Sequence, residues 1–251
     1  DDANWEEESG QIASPAAGDT LLIGENARFG RGPVVSPGYT SDLIEEVTVS
    51  APGLTINTVP IHPVLTISGG TLKARNFNIA GEQGQTGLVN QEGGDFLVRD
   101  FRTSNVDAGF SAGKSEYRLK DGNISAVIAV IGDDGDSTFR QSGGAFDAGN
   151  FLLGAATVSG GSGIIVNGRA DYIMTGGTLD TGFLGSPAGS DDPTLRRNGV
   201  STIIGNGAPA RFTLNGGTHT VRGGSNFFSS PLVVGAAAFH RRHDLAADHQ
   251  T

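Results

Sequence analysis

Apolar and polar residues alternate along this chain in short runs, and the runs break at pairs of glycines. Six segments share the layout: "LTISGGTL", "VNQEGGDF", "YRLKDGNI", "FRQSGGAF", "YIMTGGTL" and "FTLNGGTH", with Asp121-Gly122 as a degenerate pair. The pairs begin at 69, 93, 121, 143, 176 and 216, so the steps are 24, 28, 22, 33 and 40 residues. Four places before each pair stand Leu65, Val89, Tyr117, Phe139, Tyr172 and Phe212. Two places before it stand Ile67, Gln91, Leu119, Gln141, Met174 and Leu214. That period of two predicts a strand with both columns facing inward. Three places after the first glycine come Leu72, Phe96, Ile124, Phe146, Leu179 and His219, where the inward face resumes out of phase. The chain therefore turns at the pair, in a corner with no room for a Cβ.

A second signature precedes several units: "LLIGENARF", "AVIGDDGDSTF", "TIIGNGAPARF" and "LVVGAAAF". Each reads as a buried strand, a glycine corner, a polar turn and an aromatic that opens the next strand. Strands and corners recurring at twenty to forty residues describe a solenoid, whose units cannot bury their apolar faces alone. The fold expected is all-β, a right-handed parallel β-helix with irregular coils of about 22–28 residues plus insertions. An antiparallel sandwich would not ordinarily repeat the same corner residues. We expect an N-terminal arm over residues 1–17, the solenoid over 18–239 and a C-terminal tail over 240–251. Tyr117, Phe139, Tyr172 and Phe212 should stack as an aromatic ladder.

Composition narrows the partners. Forty glycines and ten prolines in 251 residues mark a turn-dense chain, and the absence of a collagen period or long polar tract argues for a folded one. The formal charge of -10 disfavours nucleic acid or an anionic membrane as the main partner, since both call for a basic face. Without cysteine there are no disulfides and no thiolate zinc site. No apolar run reaches the roughly 20 residues of a membrane span. The start "DDANWEEESG" reads as an end left by removal of a signal peptide.

The segments "DDANWEE" and "SPAAGDTLLIG", with the repeated "TISGGTL" and "FTLNGGT", resemble the autotransporter-like, glycine-rich β-solenoid proteins of the PEP-CTERM-associated repeat type. Some Gram-negative bacteria export such proteins, many of them with a short C-terminal sorting peptide. The likeness runs over about residues 1 to 238. It implies an extracellular or cell-surface location and a structural or adhesive role, with no shared catalytic residues. The tail "FHRRHDLAADHQT" departs from that pattern, carrying neither a sorting helix nor a membrane barrel.

Several motifs invite chemistry. The acidic turn Asp133, Asp134, Gly135, Asp136 offers hard oxygen ligands on a glycine bend, which makes Asp133, Asp134 and Asp136 the candidate calcium ligands, without the bidentate Glu of an EF-hand. Asp147 and Asp180 both lie four places after a first glycine, so stacking would set these carboxylates side by side. "DAGFSAGKSE" falls short of a P-loop because Ala108 stands at the first glycine and a strand follows Ser115. Gly205 and Gly207 do not complete a dinucleotide fingerprint, and no helix follows them. His240 and His243 with Asp244 could take up a divalent metal on one face of a tail helix.

No motif identifies a reaction, so the chain is expected not to be an enzyme and to need no cofactor beyond that possible calcium. The sequence points to an exported structural protein that assembles with itself, as a homo-oligomer or head-to-tail polymer, into filaments or a layer. The alternative is a β-helix that binds or cleaves surface glycans.

Overall fold

The computed structural model describes residues 15–28, 32–56, 59–80, 84–104, 113–133, 135–155, 168–182, 202–206, 208–221 and 232–234. Parallel strands stack coil upon coil into a β-helix, joined in one curled sheet. The first face holds β2 (Val34–Val35), β7 (Val64–Ile67), β9 (Gln85–Gln91), β11 (Lys114–Leu119), β13 (Asp136–Gln141) and the opening halves of β15 (Ala170–Thr181) and β17 (Ala210–Val221). After the corner, β1 (Thr20–Ile23), β3 (Thr40–Val49), β8 (Thr71–Ile79), β10 (Asp95–Thr103), β12 (Asn123–Asp133) and β14 (Ala145–Ala155) form the second stack. Its last rungs are the closing halves of β15 and β17, with β16 (Thr202–Asn206) and β18 (Leu232–Val234) beside them.

The register matches the glycine alignment on both sides of the corner, with one shift at the last pair, where Thr175 stands opposite Gly216. Thr71, Asp95, Asn123, Ala145, Thr178 and Thr218 form one hydrogen-bonded row, each two places after its first glycine. Leu65, Val89, Tyr117, Phe139, Tyr172 and Phe212 form another, and all six are buried. The expected ladder is present: Tyr117 stacks on Phe139 at 5.0 Å, Phe139 on Tyr172 at 4.8 Å and Tyr172 on Phe212 at 5.1 Å. Such pairs add about 0.5–1.5 kcal/mol each beyond burial.

Both glycines of the pair lie close to the preceding coil, and the second is the left-handed one. Gly177 has φ +81°, a left-handed conformation that L side chains resist, and a Cβ there would lie 2.4 Å from the carbonyl oxygen of Gly144, its counterpart one coil earlier. That close approach carries the inter-coil ladder round the bend: Ala145 N–H donates to Gly122 O at 2.9 Å and Thr178 N–H to Gly144 O at 2.9 Å. Residues 92–94, 120–122 and 142–144 are all that separate the strands at this corner. An earlier coil makes this corner over four residues, 36–39, with Gly38 left-handed at φ +85° and Tyr39 O accepting from Thr71 N–H, so the glycine-pair pattern misses it.

A second bend needs no turn. Within β8, β10, β12 and β14 the fully buried positions run Leu72, Ala74, Phe77, Ile79; Phe96, Val98, Phe101, Thr103; Ile124, Ala126, Ala129, Ile131; and Phe146, Ala148, Phe151, Leu153. The inward phase slips by one residue midway, folding one long strand over two sides of the core. At the far end of those strands the left-handed position is taken by Gly132, Gly154 and Gly205, but by Ala80 and Ser104 in two other coils. One antiparallel hairpin, β5 (Leu54–Ile56) with β6 (Val59–Ile61), stands outside the stack. The short strand β4 (Ala51–Pro52) pairs antiparallel with β9, and Pro52, Pro60 and Pro63 lack the N–H that a central ladder position requires. No helix among the described residues is long and apolar enough to cross a membrane.

Candidate functional site on the outer side of the first face

Strand periodicity sends every second side chain of the first face outward, and the parallel register sets these in columns about 4.8 Å apart from rung to rung. One column contains Asn90, Arg118, Arg140, Ile173 and Thr213. Beside it Glu116, Thr138, Asp171 and Arg211 form a second. The carboxylate of Glu116 is shared: Oε1 accepts from Arg118 Nε at 2.9 Å and from Arg140 Nε at 3.0 Å, and Oε2 accepts from Arg118 Nη2 at 3.0 Å. Partial burial alone would push the Glu116 carboxyl up, but the hydrogen bonds and charges of Arg118 and Arg140 outweigh it and hold it below the usual range. Further along, Arg211 Nε donates to Asp171 at 2.9 Å, and Lys120 Nζ donates to Glu92 at 2.7 Å across the corner. Exposed pairs of this kind contribute little to stability, about 0–1 kcal/mol each. Their effect is to hold cationic side chains in fixed places.

Between Arg118 and Arg140 on one side and Lys120, Ser142 and Thr175 on the other lies a depression of about 220 Å³, with Ile173 among its lining residues. Arg140 makes its bond to Glu116 through Nε, which leaves both terminal amino groups as donors.

The residues singled out by sequence fall in different places. Asp133 is buried at the end of β12, where Oδ2 accepts from Arg102 Nη1 at 2.6 Å, and Asp136 Oδ1 accepts from the Arg169 backbone N–H at 3.2 Å. Asp134 lies outside the described residues, so the three are not seen as one ligand set; among the described residues no cluster of three metal-ligating side chains occurs. Asp147 and Asp180 are direct neighbours in register, as stacking required, with Ser125 and Thr220 continuing the row. Ser115 of the P-loop-like stretch sits on β11 with its hydroxyl buried among Ser104 and Ser137. Gly205, with φ +78°, is a corner, so glycine there serves the backbone. The tail histidines lie outside the described residues.

The columns placed Gln91, Gln141 and His219 facing inward, but their polar partners were not anticipated. Gln91 and Gln141 face the core, where Tyr117 and Tyr172 donate to their Oε1 atoms at 2.6 Å. Glutamine in an inward column, paired with a tyrosine of the next coil in the neighbouring column, was the signal available. His219, in the last described coil, lies 3.2 Å from Thr181 Oγ1 and packs against Phe212; burial lowers its pKa to about 4 even though Asp180 raises it.

No protein-family model, curated protein or solved structure matches the chain.

Proposed function

We propose that this protein is a structural building block that stacks end to end through its terminal coils, forming filaments or a layer outside the cell. The observation that carries the reading is the state of the last described coil. Among the described residues β17 pairs with β15 alone and β18 with β16 alone. Leu214, His219 and Val221 of that coil are half-buried, whereas Met174, Leu179 and Thr181, their counterparts one coil earlier, are buried. A further rung in the same register would cover these side chains and pair the open strand, in the manner of β-strand addition. A single heterologous contact repeated in this way gives an open fibre unless its rotation closes a ring. The extracellular setting rests on the resemblance described above.

The test is light scattering and electron microscopy of the purified protein over a wide concentration range, with Leu214→Glu and Val221→Glu as companions. Concentration-dependent fibres or sheets are expected from the parent and monomers from the variants, with unchanged circular dichroism. A monodisperse parent monomer at high concentration overturns the reading.

A further inference from the structure

We propose that the depression on the outer side of the first face binds a carboxylate-bearing sugar unit of an extended polysaccharide. Charge makes the first argument. The chain carries -10 overall, yet Arg118, Lys120 and Arg140 converge on one depression with Glu116 and Glu92 as the carboxylates bonded to them. The patch is locally cationic on a protein of negative net charge, so it favours anions against the overall field.

Donor geometry makes the second. Glu116 fixes Arg118 and Arg140 through their Nε groups, and the terminal amino groups of Arg140 stay available as a planar fork. A guanidinium fork matches a planar carboxylate through two parallel hydrogen bonds. Lys120 spends one of its three donors on Glu92 and keeps two.

The remaining lining selects a sugar over a bare ion. Ile173 offers aliphatic surface to the C–H face of a ring, while the Ser142 hydroxyl and the Thr175 hydroxyl oxygen, whose proton goes to Gln141 O, serve its polar edge. A volume of about 220 Å³ accommodates one such unit and not a folded partner. The depression lies beside the outward column from Asn90 to Thr213, which runs along the solenoid axis, with Asn90 before it and Thr213 beyond it, so a polymer can pass through without ending there.

The site does not depend on self-assembly and is testable on monomer. Calorimetric titrations would compare a polyuronate, a neutral glucan of equal length, poly-glutamate and inorganic sulfate. The polyuronate alone is expected to bind. The Lys120→Gln, Arg140→Gln double variant should weaken that binding about ten-fold or more with an unchanged melting temperature. Arg211→Gln, on the same face but outside the depression, should leave it intact. No binding of the polyuronate overturns the proposal. Equal binding of poly-glutamate also overturns it, indicating an acidic-peptide site, and equal binding of sulfate means an adventitious ion only. An equal loss in Arg211→Gln reduces the effect to general electrostatics and overturns it as well.

Discussion

The phenol of Tyr172 donates a 2.6 Å hydrogen bond to Oε1 of Gln141, which belongs to the preceding coil and is buried with it in the core. The other end of the same amide donates to Gly144 O at 3.3 Å and to Thr178 O at 2.9 Å, so one side chain ties a tyrosine to the corner on both coils. Tyr117 and Gln91 repeat the arrangement, with Gly94 and Asn123 as the carbonyl partners. Burying an amide is costly unless its groups are satisfied, and here donor and acceptor both are.

Tyr172→Phe removes the donor and strands Gln141 Oε1 in the core. A loss of about 1–3 kcal/mol in unfolding free energy is expected. Gln141→Met combined with Tyr172→Phe should cost less than the sum of the single changes. A double-mutant cycle from denaturant unfolding would measure the coupling, and strict additivity would remove the clasp as a unit.

The ladder should be sensitive at its centre. Phe139 is fully buried and stacked on both sides, so Phe139→Ala should destabilise the fold by about 3–5 kcal/mol. Thermal or urea unfolding decides the matter. A loss below about 1 kcal/mol would show that the stack does not hold neighbouring coils together.

Gly177→Val and Asp121→Gly should behave oppositely. Valine at 177 meets both an unfavourable φ and the Gly144 carbonyl, and a loss of several kcal/mol is expected, about 1–3 from the backbone alone. Asp121 already carries a side chain at the first position of its corner, and its carboxylate accepts from Gly122 N–H at 2.8 Å, so glycine there should change stability only slightly. Matching melting temperatures for Gly177→Val and the parent would refute the steric account.

His219 gives the last coil a pH dependence of defined sign. Its pKa of about 4 in the fold lies below the ordinary 6.5, so the unfolded chain takes up the proton first as pH falls. The stability contributed by neutral His219 is present above pH 6.5, shrinks between 6.5 and about 4, and changes no further once both states are protonated. Hydrogen exchange in β17 between pH 4 and 7 should show the last coil loosening on acidification. His219→Phe should flatten that profile, and an unaltered profile would assign the effect to other groups.

The register was legible because the glycine corner marks the same point of six coils: the row from Thr71 to Thr218 follows from the glycine pairs alone. The mid-strand phase slip was not, since "LKARNF" and "FLVRDF" place two outward residues together without any turn signal. Ala80 and Ser104 hid the other left-handed column, because a non-glycine residue in that conformation is held by its surroundings and not by its own preference. The depression was out of reach for another reason. Lys120, Arg140 and Ile173 are far apart in the chain and meet only when register and side-chain direction are both known. Asp133 shows the same limit: its acidic neighbours suggested an ion site, while its partner Arg102 belongs to the coil before.

The constancy of the Gly-Gly corner makes the coil an interchangeable module. Excising residues 123–144 would join Gly122 to Ala145, and Ala145 already occupies the row position of Asn123. Duplicating the same stretch would insert one more rung without disturbing any other. A gene built on such a seam can lengthen or shorten its product by whole-coil copying, while insertions collect in the connections away from the seam, as the steps of 33 and 40 residues already do. Copy number then sets the reach of the molecule, and the chemistry on each outer face can drift rung by rung without renegotiating the core.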